Sequence, residues 1–254
     1  MSDKPPLQRY LIWVEYHGGP FAGWQRQDHA PTVQGCLETA AAALNGAPVT
    51  VFGAGRTDAG VHAERQAAHL DLRADIPGRK IADALNYHLR PHPICVLSAH
   101  PVSDTFHARF SATARYYRYD IVNRRADLAL SRGLAWRVAT ELDAGAMAAG
   151  AEDLIGEHDF STFRDAQCQA ASPEKTLDTL TVQRLGAQIV IHCSARSFLH
   201  RQVRSMVGSL VEVGRGVRSP DWIGAILAKR DRAACGPVAP ADGLYLVGVD
   251  YPDP

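Results

Sequence analysis

The chain has 254 residues, of which 46% are hydrophobic and 21% charged, and 27 basic side chains balance 27 acidic ones. This composition is typical of a globular protein, and the length allows one large or two modest domains. The N-terminal segment MSDKPPLQ lacks the basic start and apolar run of a signal peptide, and the apolar run Leu11–Val14 is too short to span a bilayer. We therefore expect a soluble, cytoplasmic protein with no membrane partner.

Neither the cysteines nor the histidines predict a metal site. The five cysteines are far apart and form no CxxC pair, which argues against a disulfide framework and against a zinc knuckle. The best-spaced histidine pair, His88 and His92, is interrupted by Pro91, which disfavours a helical ligand pair. We expect no bound metal.

Positive charge is concentrated in two stretches, although the net charge is zero. Residues 109–125 and 196–218 each contain five arginines against a single acidic residue. Arginine suits bidentate contacts with phosphate, so these stretches are candidate phosphate-binding surfaces. A base-composition bias toward arginine codons explains the arginine excess equally well.

The first half of the chain reads as β-α-β-β-α-β. Thr32 is a good N-cap and Gly46 a good stop for its first helix. The predicted elements are a strand over Arg9–Tyr16, a helix from Thr32 to Asn45, strands near Val49–Phe52 and Arg65–Leu72, a helix near Arg79–Leu89 and a strand near Ile94–Ala99.

The second half repeats this order with insertions. Its predicted elements are a strand over Arg115–Val122, a helix from Asp143 to Ile155, strands over Thr176–Arg184 and Gln188–Ala195, helices over Phe198–Val213 and Pro220–Lys229, and a strand over Gly243–Tyr251. The pattern predicts an α+β fold of two tandem ferredoxin-like (split βαβ) halves with a mainly antiparallel sheet. We place the halves at residues 1–106 and 107–254.

The loop GAGRTDAG, Gly53 to Gly60, carries an acid where nucleotide-binding loops carry none. The third glycine of a dinucleotide motif would fall on Asp58, and no Lys-Ser or Lys-Thr pair follows Gly60 as a Walker motif requires. Asp58 therefore reads either as a turn-capping side chain or as an ionised nucleophile favoured by the nearby Arg56.

The string GRTDAGVHA, from Gly55 to Ala63, is accompanied by further characteristic segments in order along the chain. These segments are EYHGGPFAGWQRQ, TVQGCLE, FHARFSATARYYRY, GEHDFSTFR, SPEKTL, SFLHRQVRSMVGSL and GLYLVGVDY. In these segments the chain resembles the TruA family of tRNA pseudouridine synthases.

The resemblance implies cofactor-free isomerisation of uridine to pseudouridine in the anticodon arm of tRNA, at roughly positions 38 to 40, by a homodimer. It implies that Asp58 is the nucleophile, attacking either C1′ of the ribose or C6 of the base, and that Arg204 pairs with it. Arg56 would occupy the space left by the flipped base, and Tyr117 would stack on the uracil. Stacking of this kind recovers part of the cost of flipping a base out of a stem.

Three further residues are candidates for substrate contact. Arg201 shares a helix face with Arg204, and it could equally bind phosphate or solvent. Leu244 and Leu246 are predicted to line the pocket, although both also read as ordinary strand core. His17 and Gln202 depart from the family pattern, which has aspartate and methionine there; both flank the predicted chemistry.

Two other functions are compatible with parts of this pattern. A non-catalytic RNA-binding module would tolerate loss of the Asp58 carboxylate. A glycoside hydrolase would need a second carboxylate facing the first, and Glu64, the nearest acid, has no spacing that recommends it.

Overall fold

A computed structural model describes residues 6–73 and 77–252. The fold is α+β, as predicted, with five α-helices in the described part of the chain and mostly antiparallel strand pairs. The chain divides into two compact units, the first formed by Met1–Thr113 with Leu246–Pro254 and the second by Ala114–Tyr245. None of the described helices combines the length and apolarity that crossing a bilayer requires.

The elements of the first unit are β1 (Leu7–Tyr16), α1 (Val33–Asn45), β2 (Phe52–Gly53), β3 (His62–Arg73), α2 (Gly78–Leu89), β4 (Ile94–Pro101) and, from the C-terminal segment, β10 (Leu244–Asp250), of which Leu246–Asp250 belong to this unit. In its sheet the strand order is β4-β1-β3-β10, and the short β2 pairs with β3.

Alternation along β1 determines the core of the first unit. β1 runs antiparallel to β3, with Ile12 opposite Ala68 and Val14 opposite Gln66. Because successive strand residues point to opposite faces, Tyr10, Ile12 and Val14 share one face, and all three are buried. Helix α1 packs against α2 and β3, and α2 also packs against β4.

Helix α1 begins and ends where its capping residues predict. The Thr32 side chain accepts a hydrogen bond of 3.2 Å from the Gly35 N–H, which satisfies one of the free donors of the first turn. Gly46 adopts the left-handed conformation at φ 69°, and its N–H bonds to the Ala42 carbonyl.

The strand predicted over Val49–Phe52 is wrong for most of its length, because only Phe52 and Gly53 form β2. The backbone N–H and carbonyl of Val51 instead form hydrogen bonds with side chains of helix α1. The Gln34 Nε2 donates to the Val51 carbonyl at 3.1 Å, and the Val51 N–H donates to Glu38 Oε1 at 3.2 Å. Side-chain partners therefore replace the strand ladder at this point.

The elements of the second unit are β5 (Ala114–Asn123), β6 (Trp136–Val138), α3 (Ala144–Glu152), β7 (Gly156–Asp159), β8 (Glu174–Leu185), β9 (Gln188–Ala195), α4 (Gln202–Gly214), α5 (Trp222–Lys229) and the first two residues of β10. The strand order in this unit is β5-β9-β8-β7, and β6 pairs with β5 in parallel. The prediction missed β6 and β7, which are too short to show a period.

Helix α4 begins at Gln202, four residues later than predicted. Arg201, just before it, is in the left-handed region at φ 59°. The buried Gln202 side chain turns back, and its Oε1 accepts the Leu199 N–H at 2.8 Å. This bond satisfies the Leu199 N–H, which therefore needs no partner within a helix.

Candidate active site

Asp58 lies on a loop of the first unit, residues 54–61, which we call the Asp58 loop. Backbone bonds fix both of its ends: the Ala54 N–H donates to the Ala67 carbonyl at 2.8 Å and the Val61 N–H to the Asp58 carbonyl at 3.2 Å. In its middle, the Trp24 N–H donates to the Thr57 carbonyl at 3.0 Å. The loop is therefore attached to β3 and to the segment that follows β1.

That segment, residues 17–24, approaches the Asp58 loop so closely that two positions require glycine. A Cβ on Gly18 would lie 2.0 Å from the Val61 carbonyl oxygen. A Cβ on Gly23 would lie 2.6 Å from the Thr57 carbonyl oxygen, and Gly23 has φ +101°. The glycines of HGGPFAGW thus permit a backbone-to-backbone contact that supports Asp58 from one side.

A buried hydrogen bond fixes the residue before Asp58. The Tyr16 hydroxyl and Thr57 Oγ1 lie 2.8 Å apart, and both side chains are buried. Burial raises the pKa of Tyr16 to about 12, so this phenol stays protonated at neutral pH. Tyr16 and Thr57 are positioning residues that the sequence did not single out, since they are far apart in the chain.

The side chains at residues 56–58 differ in accessibility. Arg56 is exposed, Thr57 is buried and Asp58 is half-buried. Glu64, on β3, is exposed. Asp58 therefore combines a fixed backbone with a carboxylate that is partly open to a substrate.

Tyr117 lies on β5 in the second unit, opposite Cys193 of β9. It is half-buried, and its ring meets Phe198 edge to face, with 5.1 Å between centroids. Tyr119, on the same strand face, is fully buried and donates its hydroxyl hydrogen to the Pro240 carbonyl at 2.8 Å. Of the two tyrosines, only Tyr117 retains an exposed part of its ring.

Arg204 lies in the first turn of α4 and is half-buried. Its Nε donates to the Ala239 carbonyl at 2.8 Å, and the Ala239 N–H donates back to the Arg204 carbonyl at 3.0 Å. Because Ala239 is buried, this reciprocal pair fixes the guanidinium group relative to α4. Lysine has no Nε donor with this geometry.

Arg201 makes an ion pair within the second unit. Its Nη1 lies 3.0 Å from Asp165 Oδ2, and the arginine side chain is largely exposed. Burial acts to raise the pKa of Asp165, but the Gln167 N–H, Arg201 and His200 together lower it. The substrate contact expected of Arg201 stays a prediction.

The other predicted residues occupy ordinary structural positions. Leu244 and Leu246 are buried in β10, so their role in lining a pocket stays a prediction. His17 is exposed, and its ring lies 4.7 Å from that of the buried His62. Gln202 is the buried first residue of α4, two positions before Arg204.

Neither a metal-binding group nor the cavity of the second unit competes with the Asp58 loop in the described part of the chain. Across residues 6–73 and 77–252, no three His, Cys, Asp or Glu side chains form a group that could hold a metal ion. A cavity of about 390 Å³ in the second unit contains none of the predicted site residues; it is lined by Asp153, His158, Asp159, Asp221, Gly224, Ala225, Leu227, Ala228 and Arg230.

Comparison with known proteins identifies the class of enzyme. A family model described as tRNA pseudouridine synthase matches residues 12–111 and 151–252. The chain belongs to this family, and it is an isomerase.

Its relatives named tRNA pseudouridine synthase A match it over nearly the full length. The protein of Maricaulis maris is 61% identical over 248 residues, 98% of this chain and 100% of the relative. That of Hyphomonas neptunium is 60% identical over 246 residues, 97% and 99% of the two chains. That of Bradyrhizobium diazoefficiens is 62% identical over 245 residues, 96% and 100%.

Proposed function

We propose that this protein isomerises uridine to pseudouridine in the anticodon stem-loop of tRNA, at roughly positions 38, 39 and 40, with Asp58 as the nucleophile. Family membership supports the reaction class. The assignment of Asp58 as the nucleophile is supported by the geometry of the Asp58 loop. This loop presents a half-buried aspartate on a backbone that is fixed by the Tyr16–Thr57 bond and by the close approach at Gly18 and Gly23. A fixed, partly accessible carboxylate is suited to nucleophilic attack.

The proposed reaction balances without a cofactor. Asp58 attacks C1′ of the ribose or C6 of the base, and the N1–C1′ bond breaks. The uracil rotates, a bond forms between C5 and C1′, the proton leaves C5 and N1 gains one. The carboxylate is released unchanged, so the product is an isomer of the substrate.

Six other residues take the roles predicted for them from the sequence. Arg56 is exposed beside Asp58 and would occupy the space left by the flipped base. Tyr117 has part of its ring accessible for stacking on the uracil. Arg204 would pair with the Asp58 carboxylate, and Arg201 would bind the RNA. Leu244 and Leu246 would line the pocket.

The proposal extends to architecture and assembly. The order β1-α1-β2-β3-α2-β4 of the first unit supports a split-βαβ module. We propose two tandem ferredoxin-like halves, residues 1–106 carrying the catalytic loop and residues 107–254 completing the site, in a cytoplasmic homodimer. Sedimentation of the purified chain tests the dimer.

The experiment uses unmodified tRNA transcripts with uridines in the anticodon arm, and pseudouridine is mapped by chemical labelling and primer extension. The wild-type protein should convert uridines in that arm. Asp58→Asn should bind tRNA as the wild type does and form no product. Asp83→Asn, at an exposed aspartate of α2, is the matched control and should be fully active.

The outcomes separate this function from the alternatives. Turnover by Asp58→Asn would refute the nucleophile assignment. Binding of several transcripts by the wild type without product would favour a non-catalytic RNA-binding module.

A further inference from the structure

The first unit carries a connected group of aromatic rings at its surface, which we call the aromatic run and define as Phe52, His69, His107 and Phe110. Phe52 stacks on His69, with centroids 5.0 Å apart and planes 15° apart, and it lies 5.8 Å from His107. His107 lies 4.7 Å from His69 and 4.4 Å from Phe110. One histidine ring therefore separates the two phenylalanines.

The two ends of the aromatic run are exposed to solvent. Phe110 is 71% exposed and Phe52 47% exposed, whereas His69 between them is buried. Exposed phenylalanines do not contribute their full area to the core, and exposed rings joined in one patch mark a binding surface more often than isolated ones do. Packing in the core of this unit therefore does not explain why these two phenylalanine rings are exposed at the surface.

The histidines hold the run in place as neutral rings. His69 Nδ1 accepts the Ala108 N–H at 3.1 Å, and His107 Nδ1 accepts the Arg109 N–H at 3.1 Å. A protonated ring nitrogen cannot accept, so the proton of each ring sits on Nε2. Burial lowers the pKa of both histidines, to about 4 for His69. The run is thus fixed, and at neutral pH its charge comes from arginine.

Arginine accompanies the exposed end. The Arg109 Cζ lies 5.6 Å from the centroid of Phe110, and the Arg109 side chain is exposed. The turn that carries both residues is held by two bonds between His107 and Ser111 and by the Tyr251 hydroxyl, which donates to the Ala108 carbonyl at 2.7 Å. An exposed aromatic face beside a guanidinium group offers one contact for a base and one for a phosphate.

The dimensions of the run favour a nucleotide over a protein. A stable subunit interface buries about 800 Å² on each partner, far more than two phenylalanine rings expose. A single unstacked base covers one ring, and its phosphate is complementary in charge to Arg109. The run also begins at Phe52, the residue directly before Gly53, where the chain enters the Asp58 loop.

We propose that the aromatic run stacks an unpaired nucleotide of the bound tRNA, other than the target uridine, and that Arg109 contacts an adjoining phosphate. This inference rests on the proposed function for its RNA. It adds a second contact for the substrate, built entirely from the first unit.

The test measures the affinity of an unmodified tRNA transcript for Phe52→Ala/Phe110→Ala. Loss of base stacking should weaken binding about five- to fifty-fold and leave the salt dependence unchanged. Arg109→Ala should instead reduce the slope of log K against log salt by about one. Tyr87→Ala removes a ring that is also 71% exposed, but on helix α2, and it should bind as the wild type does.

A gain-of-signal variant guards against misfolding of the double variant. Phe110→Trp should show tryptophan quenching on addition of tRNA that is absent from Tyr87→Trp. Wild-type affinity in Phe52→Ala/Phe110→Ala would overturn the proposal. A change of oligomeric state in that variant would also overturn it, in favour of a second copy of the chain. Failure of the proposed function would appear instead as absence of pseudouridine with the wild-type protein.

Discussion

The Tyr16 hydroxyl and Thr57 Oγ1 lie 2.8 Å apart and join the end of β1 to the residue directly before Asp58. The two residues are 41 positions apart in the chain. Because both side chains are buried, the bond has no water to replace it. The position of Asp58 therefore depends on a contact outside its own loop.

Tyr16→Phe should lower both stability and turnover. Removing the hydroxyl leaves Thr57 Oγ1 buried without its tyrosine partner, which costs about 1 to 3 kcal/mol in the free energy of unfolding. Turnover should fall about tenfold while tRNA affinity stays near wild type. Tyr16→Phe combined with Thr57→Val removes both polar groups, so its stability loss should be smaller than the sum of the single losses. Urea unfolding of the wild type, the two single variants and the double variant measures these losses. Additive losses would contradict a direct bond between the two side chains.

Gly23→Ala should destabilise the first unit. The added methyl group would lie 2.6 Å from the Thr57 carbonyl oxygen at φ +101°, so both sterics and backbone strain oppose it. We expect a loss of about 2 to 4 kcal/mol, measured by urea unfolding. Gly55→Ala is the control within the Asp58 loop, since nothing lies within 4 Å of its added Cβ. Equal stability losses in the two variants would refute the close approach of residues 17–24 to the Asp58 loop.

Stability should fall as the pH drops from about 6.5 toward 4. The folded-state pKa of His69 is lowered to about 4, chiefly by burial, so the unfolded chain takes up the proton first. The stabilisation is complete above about pH 6.5 and is lost as the pH approaches the folded-state pKa. A loss of about 1 to 3 kcal/mol is expected from this group, and His107 acts in the same direction.

Unfolding measured in urea at pH 7 and pH 4.5 checks this dependence. His69→Gln should be less stable at pH 7 and should lose less stability between the two pH values than the wild type does. Equal losses in both proteins would show that other groups cause the dependence.

Arg204→Lys should lower the rate more than the affinity. The substitution removes the Nε donor to the Ala239 carbonyl and the planar geometry of guanidinium. We expect turnover at saturating tRNA to fall about 100-fold, with a Kd within about threefold of wild type. Arg215→Lys, at the other end of α4, keeps a cation beside Glu212 and serves as the control. Weaker binding with a reduced salt slope would indicate a phosphate contact instead.

Local signals in the sequence predicted the elements that depend on local chemistry. Thr32 and Gly46 set both ends of α1, and β9 has the predicted bounds. The failures lie where a distant side chain replaces a backbone partner, as Gln34 and Glu38 do at Val51. Gln202 does the same at the start of α4. No periodicity in a single sequence reveals such bonds.

The candidate site also contains residues that the sequence indicates directly and contacts that only the fold reveals. The motif around Asp58 is continuous, so the sequence indicated the loop and its acid directly. Tyr16 and Gly23 support that loop from another segment, and the aromatic run joins β2, β3 and a later turn. Those relationships require the fold, because their members are spread over the first half of the chain.

The high pKa of Tyr16 has a consequence for the alkaline limb of a pH–rate profile. A phenol that loses its proton only near pH 12 stays neutral, and keeps its hydrogen bond with Thr57, across the range in which RNA itself resists hydrolysis. Any decline in activity between pH 8 and pH 10 would thus report deprotonation elsewhere, in the uracil ring of the substrate or in another side chain, while the support of Asp58 stays intact.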